Sequence, residues 1–287
     1  MSGALSVLAR PPFRLVEVVR PDGWVHLAPF AWNSDSETLS TCCELDGIAA
    51  RVAIRQSGPG GVDVTWEGGA KPRTVRAAVE RMLAPGEDFS EFQRLCRDRP
   101  GLRLVAERGL GRRLHSPSSW EDAVKVLCTT NVNWSGTRSM VARLVDSYGV
   151  LAPDGRRCFP GPERIAPVGA EGLARATGMG YRAGRLADFA RAVVDGELLL
   201  DEWEDGSLAT ADLAARIGGV RGFGPYCVAT LLALLGRYER LPVDSEFVAH
   251  VTKGHFNGER PTKREAESVY EDWGRWKHLA YWFEELE

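Results

Sequence analysis

A change of hydrophobic period near residue 73 divides the chain into two kinds of pattern and limits the folds open to it. Before this point, β-branched or alternating runs are separated by Gly, Pro and Asn turns, which is typical of an antiparallel sheet. The runs predicted as strands are 13–19, 24–30, 48–54 and 62–66. After it, apolar residues recur at helical spacing, as at Val75, Ala78 and Met82. The pattern predicts an α+β fold, with an N-terminal antiparallel β-sheet domain and flanking helices followed by all-helical domains.

Helices are expected throughout the second part of the chain. Ser118 or Ser119, ahead of Trp120-Glu-Asp122, is a typical N-cap with acids in the first turn. We predict helices at about 119–130, 135–148, 162–166, 170–177, 181–195, 207–217, 225–236, 245–254, 262–270 and 272–285. The predicted domains are residues 1–115, the α/β part, and residues 116–287, a helical region with its cleft between helical subdomains.

Composition excludes several classes of protein. Apolar residues make up 44% of the chain and charged residues 26%, so a core can form without a disulfide or metal. No run of eighteen apolar residues and no basic leader is present, which predicts neither a membrane span nor a signal peptide. The six cysteines have no C-x-x-C spacing and are expected to be buried and free. His250 and His255 are five residues apart and there is no H-E-x-x-H, so no side-chain metal site is predicted.

The net charge of −3 hides local basic surfaces. Arginines outnumber acids in residues 91–120, and basic residues outnumber acids in residues 216–264. The candidates for phosphate contacts are Arg97, Arg99, Arg103, Arg112, Arg113, Arg221 and Arg237. Lysine is scarce, with five among 36 basic residues.

A Gly/Pro-rich turn joins two predicted helices between residues 213 and 236. We expect the first helix to end at Gly218 or Gly219, the turn to run from Val220 to Gly224, and Pro225 to begin the next helix. Glycines at 222 and 224 allow positive φ and the close approach of another chain. Their amides, with the helix start, would suit a phosphate, although a plain turn between helices is the alternative.

An aspartate follows this turn after twenty residues. Leu241-Pro-Val-Asp244 places Asp244 ahead of an apolar helical segment, where an N-cap is its ordinary role. A capping carboxylate can still turn one oxygen towards a pocket, so the two roles are compatible.

The two segments Gly222-Phe-Gly-Pro-Tyr-Cys-Val-Ala229 and Leu241-Pro-Val-Asp244 together resemble the helix–hairpin–helix (HhH-GPD) DNA glycosylase superfamily. Met179-Gly-Tyr-Arg-Ala183 is similar to the helix start that this superfamily places against DNA, and 127–134 to its early helix-end loop. The β-rich N-terminal third and Arg99-Pro-Gly-Leu-Arg-Leu104 are most similar to the 3-methyladenine DNA glycosylase II branch. The resemblance is specific over residues 116–287 and architectural before them.

The resemblance implies roles for particular residues. Asp244 matches the catalytic aspartate of the superfamily. The hairpin that grips DNA corresponds to Val220, Arg221, Gly222, Phe223, Gly224 and Tyr226. Thr130, Asn131 and Tyr181 match positions that insert into the duplex. The base pocket is expected to include Trp134, Tyr226 and Trp282, whereas the helical spacing of Trp273, Trp276 and Ala280 is more typical of a core.

The chain departs from two subgroups of the superfamily. Bifunctional members carry a nucleophilic lysine where this chain has Tyr226, and no lysine occurs between 126 and 252. Members with an iron–sulfur cluster have closely spaced C-terminal cysteines, but no cysteine follows Cys227 here. We therefore expect neither AP lyase activity nor an iron–sulfur cluster or other cofactor. The hairpin carbonyls could hold a monovalent cation.

The resemblance implies a monofunctional DNA glycosylase of base excision repair, which flips out and hydrolytically removes damaged, alkylated purines. A glycosylase for oxidised or deaminated bases and a catalytically silent DNA-binding scaffold are the alternatives. The expected partner is double-stranded DNA containing a damaged base. No association with a membrane is expected, and the protein is expected to be a monomer. If the protein is bacterial, we expect it in the cytoplasm, associated with the nucleoid. If it is eukaryotic, we expect it in the nucleus.

Overall fold

The computed structural model describes residues 2–20 and 23–284. The N-terminal part is built on a five-stranded antiparallel sheet with the order β1-β5-β4-β3-β2. The strands are β1 Ser2–Leu8, β2 Ala31–Asn33, β3 Thr38–Leu45, β4 Ile48–Gln56 and β5 Gly61–Glu67. The chain enters at one edge of the sheet, where Ser2 lies opposite Glu67. The predicted α+β class and antiparallel sheet are confirmed.

Two of the predicted strands are wrong. Residues 13–19 contain a short helix, α1 Leu15–Val19, and residues 24–30 begin with a 3₁₀ turn, Gly23–His26. Every residue of α1 is buried, Glu17 included. A short run that is buried on all sides carries no period, so β-branched residues there fit a helix as well as a strand. The predictions at 48–54 and 62–66 are confirmed by β4 and β5.

The rest of the chain is helical, as predicted. The helices are α2 Pro72–Leu83, α3 Ser90–Arg97, α4 Arg103–Arg108, α5 Ser119–Thr129, α6 Trp134–Tyr148, α7 Pro162–Ile165, α8 Gly169–Thr177, α9 Arg182–Val194, α10 Thr210–Gly219, α11 Pro225–Leu234, α12 Ser245–His255, α13 Lys263–Ser268 and α14 Lys277–Glu284. The predicted helix 272–285 is wrong in its first half, because a 3₁₀ segment, Glu271–Trp276, interrupted at Gly274 (φ 54°, ψ −121°), precedes α14. Residue 285 lies outside the described residues. None of the described helices is both long and apolar enough to cross a membrane.

The buried apolar residues form two large cores. The first core joins the sheet to helices α2, α5, α6 and α9–α11. The second core joins α3 and α4 to α12–α14 and is rich in aromatic rings, among them Phe92, Phe247, Trp273 and Trp276. Because α3 and α4 precede residue 115, the predicted domain boundary at 115/116 does not separate the two cores. Trp273, Trp276 and Ala280 are buried in the second core, as their spacing predicts.

A buried ionic network fixes α5 against the N-terminal part. The guanidinium of Arg81 on α2 contacts Asp122 Oδ2 at 2.7 Å and Glu204 Oε1 at 2.7 Å. The other oxygen of Asp122 accepts a hydrogen bond from Trp24 Nε1 at 2.9 Å. Ser118 caps α5 by accepting from the amide of Glu121, as predicted. The N-terminal turn of α5 is therefore held by the sheet side of the molecule, and the site begins at the opposite end of this helix.

All six cysteines are free and buried, as expected. Burial raises the pKa of Cys42, Cys96 and Cys128 to about 12 and that of Cys158 and Cys227 to about 11. Burial also raises the pKa of the Cys43 thiol. The cysteines therefore serve as small apolar core residues.

Candidate active site

The Gly/Pro-rich turn forms the predicted hairpin between two helices. Helix α10 ends at Gly219, and the amide of Phe223 closes the turn onto the carbonyl of Val220 at 3.0 Å. The positive φ lies at Gly222 (φ 101°), where a Cβ would stand 2.5 Å from Cδ of Arg185. Any side chain at 222 would thus be both strained and obstructed. Termination of α10 by a left-handed glycine at 218 or 219 is wrong, because neither residue has a positive φ.

Gly224 is a glycine for a different reason. It is the N-cap of α11 with φ −75°, so the freedom of glycine to take a positive φ is not used there. A Cβ at Gly224 would meet no atom of the protein within 4 Å. The backbone therefore lies open to a molecule outside the chain. Pro225 begins α11, and the following amides of the first turn have no acceptor within the helix.

The other hairpin side chains divide into one anchor and one exposed cation. Phe223 is 3% exposed and packs against the ring of Phe189, with centroids 5.2 Å apart. Its side chain therefore fixes the turn to the first core and cannot itself contact DNA. Arg221 is 81% exposed and pairs with Asp188 at 2.8 Å.

Asp244 is the N-cap of α12. Its Oδ1 accepts a hydrogen bond from the amide of Phe247 at 2.9 Å. Burial raises the pKa of Asp244, and the nearby charge of Glu246 adds to the effect, while the backbone amides of Phe247 and Glu246 oppose it. The carboxyl is thus partly withdrawn from water and positioned by the helix that it caps.

The hairpin, the loop after α5 and Asp244 line one cavity of about 800 Å³. Its lining residues are Thr129, Thr130, Asn131, Val132, Arg185, Gly218 to Cys227, Asp244, Ser245 and Glu246. The structure therefore brings together the predicted carboxylate, the predicted hairpin and two of the predicted inserting residues. We call this space the hairpin cavity.

Tyr226 lies in the hairpin cavity one turn into α11. Its hydroxyl accepts a hydrogen bond from Thr129 Oγ1 at 3.2 Å, which connects α11 to the end of α5. Burial raises the pKa of Tyr226, and the negative charge of Asp244 raises it further. The phenol is therefore neutral and close enough to Asp244 to sense its charge.

The predicted inserting residues lie at one exposed point beside the hairpin cavity. Asn131 has a left-handed backbone (φ 47°), and its Nδ2 donates to Tyr181 Oη at 3.1 Å. Tyr181 is 50% exposed and precedes α9. Thr130 and Asn131 line the cavity, whereas Tyr181 stands at its outside.

Arg182 holds this exposed point together, a role that the sequence reasoning missed. Its buried guanidinium donates to the carbonyls of Thr130 and Asn131, the latter at 3.1 Å, and lies over the ring of Tyr181, 4.7 Å from the centroid. Only the position of Arg182 in the motif 179–183 could have drawn attention to it. Because one side chain joins the loop to α9, the inserting residues share one support.

Two residues predicted for the base pocket lie elsewhere. Trp134 begins α6 and packs over Gly23, where a Cβ would come within 2.8 Å of its ring. Trp282 packs against the second core, with the guanidinium of Arg113 3.9 Å from its ring centroid. Neither is among the residues that line the hairpin cavity. Tyr226 is the pocket residue of the three that does line it.

Two of the predicted phosphate contacts are wrong. Arg112 is 5% exposed and donates to backbone carbonyls that include Pro12 and Glu87. Arg113 is 2% exposed and lies 3.0 Å from Nε2 of His278. Buried guanidinium groups with internal acceptors cannot reach a phosphate. They stabilise the junction between the N-terminal part and the second core.

A second cavity of about 1060 Å³ also has Asp244 in its lining and shares none of the hairpin residues 218–227. It is lined by Val243, Asp244, Ser245, Val248, Ala249, Thr252, Lys253, Asn257, Gly258, Arg260 and Lys263. Its cations were not among the predicted phosphate contacts, although they lie in the predicted basic segment 216–264. The carboxylate thus stands between the hairpin cavity and a cationic cavity.

Solved structures with a similar fold cover almost the whole chain. The 3-methyladenine DNA-glycosylase from Archaeoglobus fulgidus superposes with a TM-score of 0.80 at 20% identity, covering 98% of this chain and 97% of that one. The apo 8-oxoguanine glycosylase/lyase of Clostridium acetobutylicum superposes with a TM-score of 0.76 at 16% identity, covering 99% and 97%. These likenesses confirm the fold, including the N-terminal sheet.

Comparisons of sequence identify the family. A Bacillus subtilis (strain 168) protein named "Putative DNA-3-methyladenine glycosylase YfjP" is 26% identical over 152 residues, which cover 52% of this chain and 52% of that protein. The match therefore spans about half the length of this curated relative. The family model described as HhH-GPD superfamily base excision DNA repair protein matches residues 124–275, a range that includes the loop after α5, the hairpin and Asp244. The chain belongs to the HhH-GPD superfamily of base excision DNA repair proteins.

Proposed function

We propose that this protein is a monofunctional DNA glycosylase that removes alkylated purine bases from double-stranded DNA by hydrolysis. The observation that carries the proposal is the hairpin cavity, which is lined by both Asp244 and the open backbone of Gly224. The hairpin backbone at Gly224 suits a phosphate, and the start of α12 supplies the carboxylate of Asp244. All the groups that this proposal uses come from a single copy of the chain, and we propose that the enzyme acts as a monomer.

The proposed DNA contacts follow from the exposed backbone and cations. The first amides of α11 point a partial positive charge towards a phosphate that approaches Gly224. Thr130, Asn131 and Tyr181 enter the space that the extruded base leaves, and stacking on the tyrosine ring contributes about 1–3 kcal/mol. Lys253, Arg260 and Lys263 continue the cationic surface past Asp244. A Clostridium acetobutylicum neighbour with a TM-score of 0.75 is solved in complex with double-stranded DNA, which supports DNA as the ligand.

Asp244 is proposed to act on the sugar. Breaking the N-glycosidic bond develops positive charge on the deoxyribose, and a fixed carboxylate close to it stabilises that charge. The same carboxylate can accept a proton from the attacking water. Its hydrogen bond from Phe247 fixes its position before the substrate arrives. Partial burial strengthens its interaction with the charge that develops in the transition state.

Alkylated bases fit this site better than neutral ones. A purine alkylated at ring nitrogen N3 or N7 carries a positive charge and leaves without prior protonation, so it requires no strong general acid. Tyr226 contributes a neutral ring to the wall, and its phenol, with a raised pKa, is a poor proton donor. The name of the Bacillus relative supports the same substrate class.

The lysines of the chain support hydrolysis without strand cleavage. A lyase needs an amine that can form a Schiff base with the sugar. Tyr226 occupies the hairpin position of that amine. Lys125 is fully buried and paired with Glu121 at 2.6 Å, so it is not available as a nucleophile. Lys253 and Lys263 line the adjoining cavity and not the hairpin cavity.

Base release from duplexes that each contain one lesion tests the proposal. The panel includes 3-methyladenine, 7-methylguanine, hypoxanthine, uracil and 8-oxoguanine. We expect release of the methylated purines, with strand breaks only after alkali and no adduct trapped by borohydride. Preferred release of a deaminated or oxidised base would establish the alternative substrate class. Breaks without alkali would contradict the monofunctional assignment, and Lys253→Ala would then show whether Lys253 is responsible.

Asp244→Asn tests the role of the carboxylate. Asparagine caps a helix as well as aspartate does, so the fold and DNA affinity should persist. We expect the rate of base release to fall by about 10²–10³-fold, the usual effect of losing one stabilising group. The matched control is Asp146→Asn, an exposed carboxylate on α6. Base release by Asp244→Asn at a rate close to wild type would rule out this mechanism.

A further inference from the structure

A second cluster of functional side chains lies at the other end of α12. His250 and His255, both on α12, converge on Glu284 at the end of α14. Their Nε2 atoms lie 3.4 Å and 3.1 Å from Oε2 of Glu284. The ligand atoms of all three residues lie within 4.8 Å of one another. The prediction of no side-chain metal site is therefore open to correction, because Glu284 brings together two histidines that the sequence spacing appeared to separate.

We propose that His250, His255 and Glu284 bind a divalent transition-metal ion of the zinc class. Imidazole and carboxylate are ordinary ligands of zinc, at about 2.0–2.2 Å from the ion. Tetrahedral ligands at that distance stand about 3.3–3.6 Å apart, close to the two histidine–glutamate separations. The ligand atoms of the two imidazoles lie within 4.8 Å of each other and would move closer together on binding the ion. The fourth position remains open to water.

The surroundings orient the ligands. Tyr270 Oη donates a hydrogen bond to Oε2 of Glu284 at 2.5 Å. The ring of Tyr281 meets the ring of His250 edge-on, with centroids 5.5 Å apart. Such outer contacts fix ligand orientation in metal sites. The three ligand side chains are 19%, 30% and 29% exposed, so an ion can enter from solvent.

The position of the cluster indicates what the ion would do. Along α12, at about 1.5 Å per residue, His250 lies about 9 Å and His255 about 16 Å from Asp244. The ion is therefore too far away to take part in hydrolysis. It would instead join the C-terminal end of α12 to α14, and so stabilise the helix whose other end carries the carboxylate. This inference does not depend on the proposed function.

Titration of the full chain with Zn²⁺ after treatment with a chelator tests the proposal. Calorimetry should show one equivalent bound, and a Co²⁺ titration should give the visible absorption of a tetrahedral site without a thiolate charge-transfer band. Added Zn²⁺ should raise the melting temperature, because an ion that binds only the folded state stabilises it. Failure to bind one equivalent would overturn the proposal.

Substitutions show whether these residues are the ligands. His250→Gln, His255→Gln and Glu284→Gln should each weaken Zn²⁺ binding by at least about tenfold, the scale reported for perturbed metal sites. The control is His26→Gln, an exposed histidine in the N-terminal part. Each variant's melting temperature without metal separates lost binding from lost folding. Binding that survives all three substitutions would place the ion elsewhere and overturn the assignment.

Discussion

The hairpin and the start of α12 face the same cavity, but different cores hold them. Phe223 anchors the hairpin in the first core, beside Phe189 and Trp203. Phe247, three residues after Asp244, anchors α12 in the second core, beside Tyr270 and Tyr281. The proposed grip on DNA and the proposed chemistry thus have separate supports. Their relative position depends on how the two cores meet.

The largest expected effects come from removing one anchor at a time. Phe223→Ala and Phe247→Ala should each lower the free energy of unfolding by about 3–5 kcal/mol, the usual cost of deleting a buried ring. We expect Phe223→Ala to weaken duplex binding and Phe247→Ala to slow base release with binding preserved. Denaturant unfolding, fluorescence anisotropy with a duplex and single-turnover kinetics measure the three quantities.

Equal loss of binding and catalysis in both variants would contradict separate anchoring. Phe223→Leu and Phe247→Leu keep more of the buried volume and provide the same comparison with a smaller loss of stability.

The next largest effect tests the support of the inserting loop. Arg182→Gln leaves the carbonyls of Thr130 and Asn131 without their donor, which should cost about 1–3 kcal/mol of unfolding free energy. Base release should fall because the loop no longer holds its position beside Tyr181. Arg191→Gln, at an exposed position on α9, is the control. Unchanged stability and activity in Arg182→Gln would show that the loop has another support.

Gly224→Ala separates binding from folding. The backbone at 224 accepts alanine, and the free energy of unfolding should stay constant or rise by about 0.4–1 kcal/mol. Duplex affinity should fall about tenfold, or roughly 1.4 kcal/mol, since the new methyl group stands where the phosphate approaches. The log–log salt slope, about −0.9 per phosphate contact, should become shallower. Gly86→Ala is the control in an exposed turn, and equal affinities in the two variants would contradict a phosphate at Gly224.

The smallest effect is a pH dependence of stability at Asp244. Because burial raises the pKa of this carboxyl in the folded state, ionising it costs folding free energy. Asp244→Asn should therefore equal wild type in stability below the ordinary pKa of 3.8, and exceed it increasingly as pH rises through the folded pKa. Thermal melting from pH 3 to 8 measures the difference. A variant that loses stability relative to wild type as pH rises would contradict a raised pKa.

Local signals predicted the helical part of the fold well. The caps at Ser118 and Asp244 and the start at Pro225 depend on a few neighbouring residues, and all three are confirmed. The N-terminal third was harder, because the strands β1, β2 and β3 were not predicted and a fully buried run formed α1. Sheet pairing depends on distant residues, so single runs of β-branched side chains do not determine it.

The candidate site also contains residues that a local motif predicts and residues that only the fold brings together. Tyr226, Gly224 and Asp244 lie within a short span of sequence, and the motif was sufficient to single them out. Glu284 lies 34 residues from His250, and only the packing of α14 on α12 brings them together. Trp134 and Trp282 were assigned to a pocket on their aromatic character and the family resemblance, neither of which indicates the direction of a side chain.

The raised pKa values of the buried thiols have a consequence for the reaction of the protein with methylating reagents. The thiolate is the form that methylating reagents attack, and a pKa of about 11 leaves only about one thiol in ten thousand ionised at pH 7. Every cysteine of the chain is buried as well. A protein proposed to act where DNA is being methylated would thus present those same reagents with almost no thiolate.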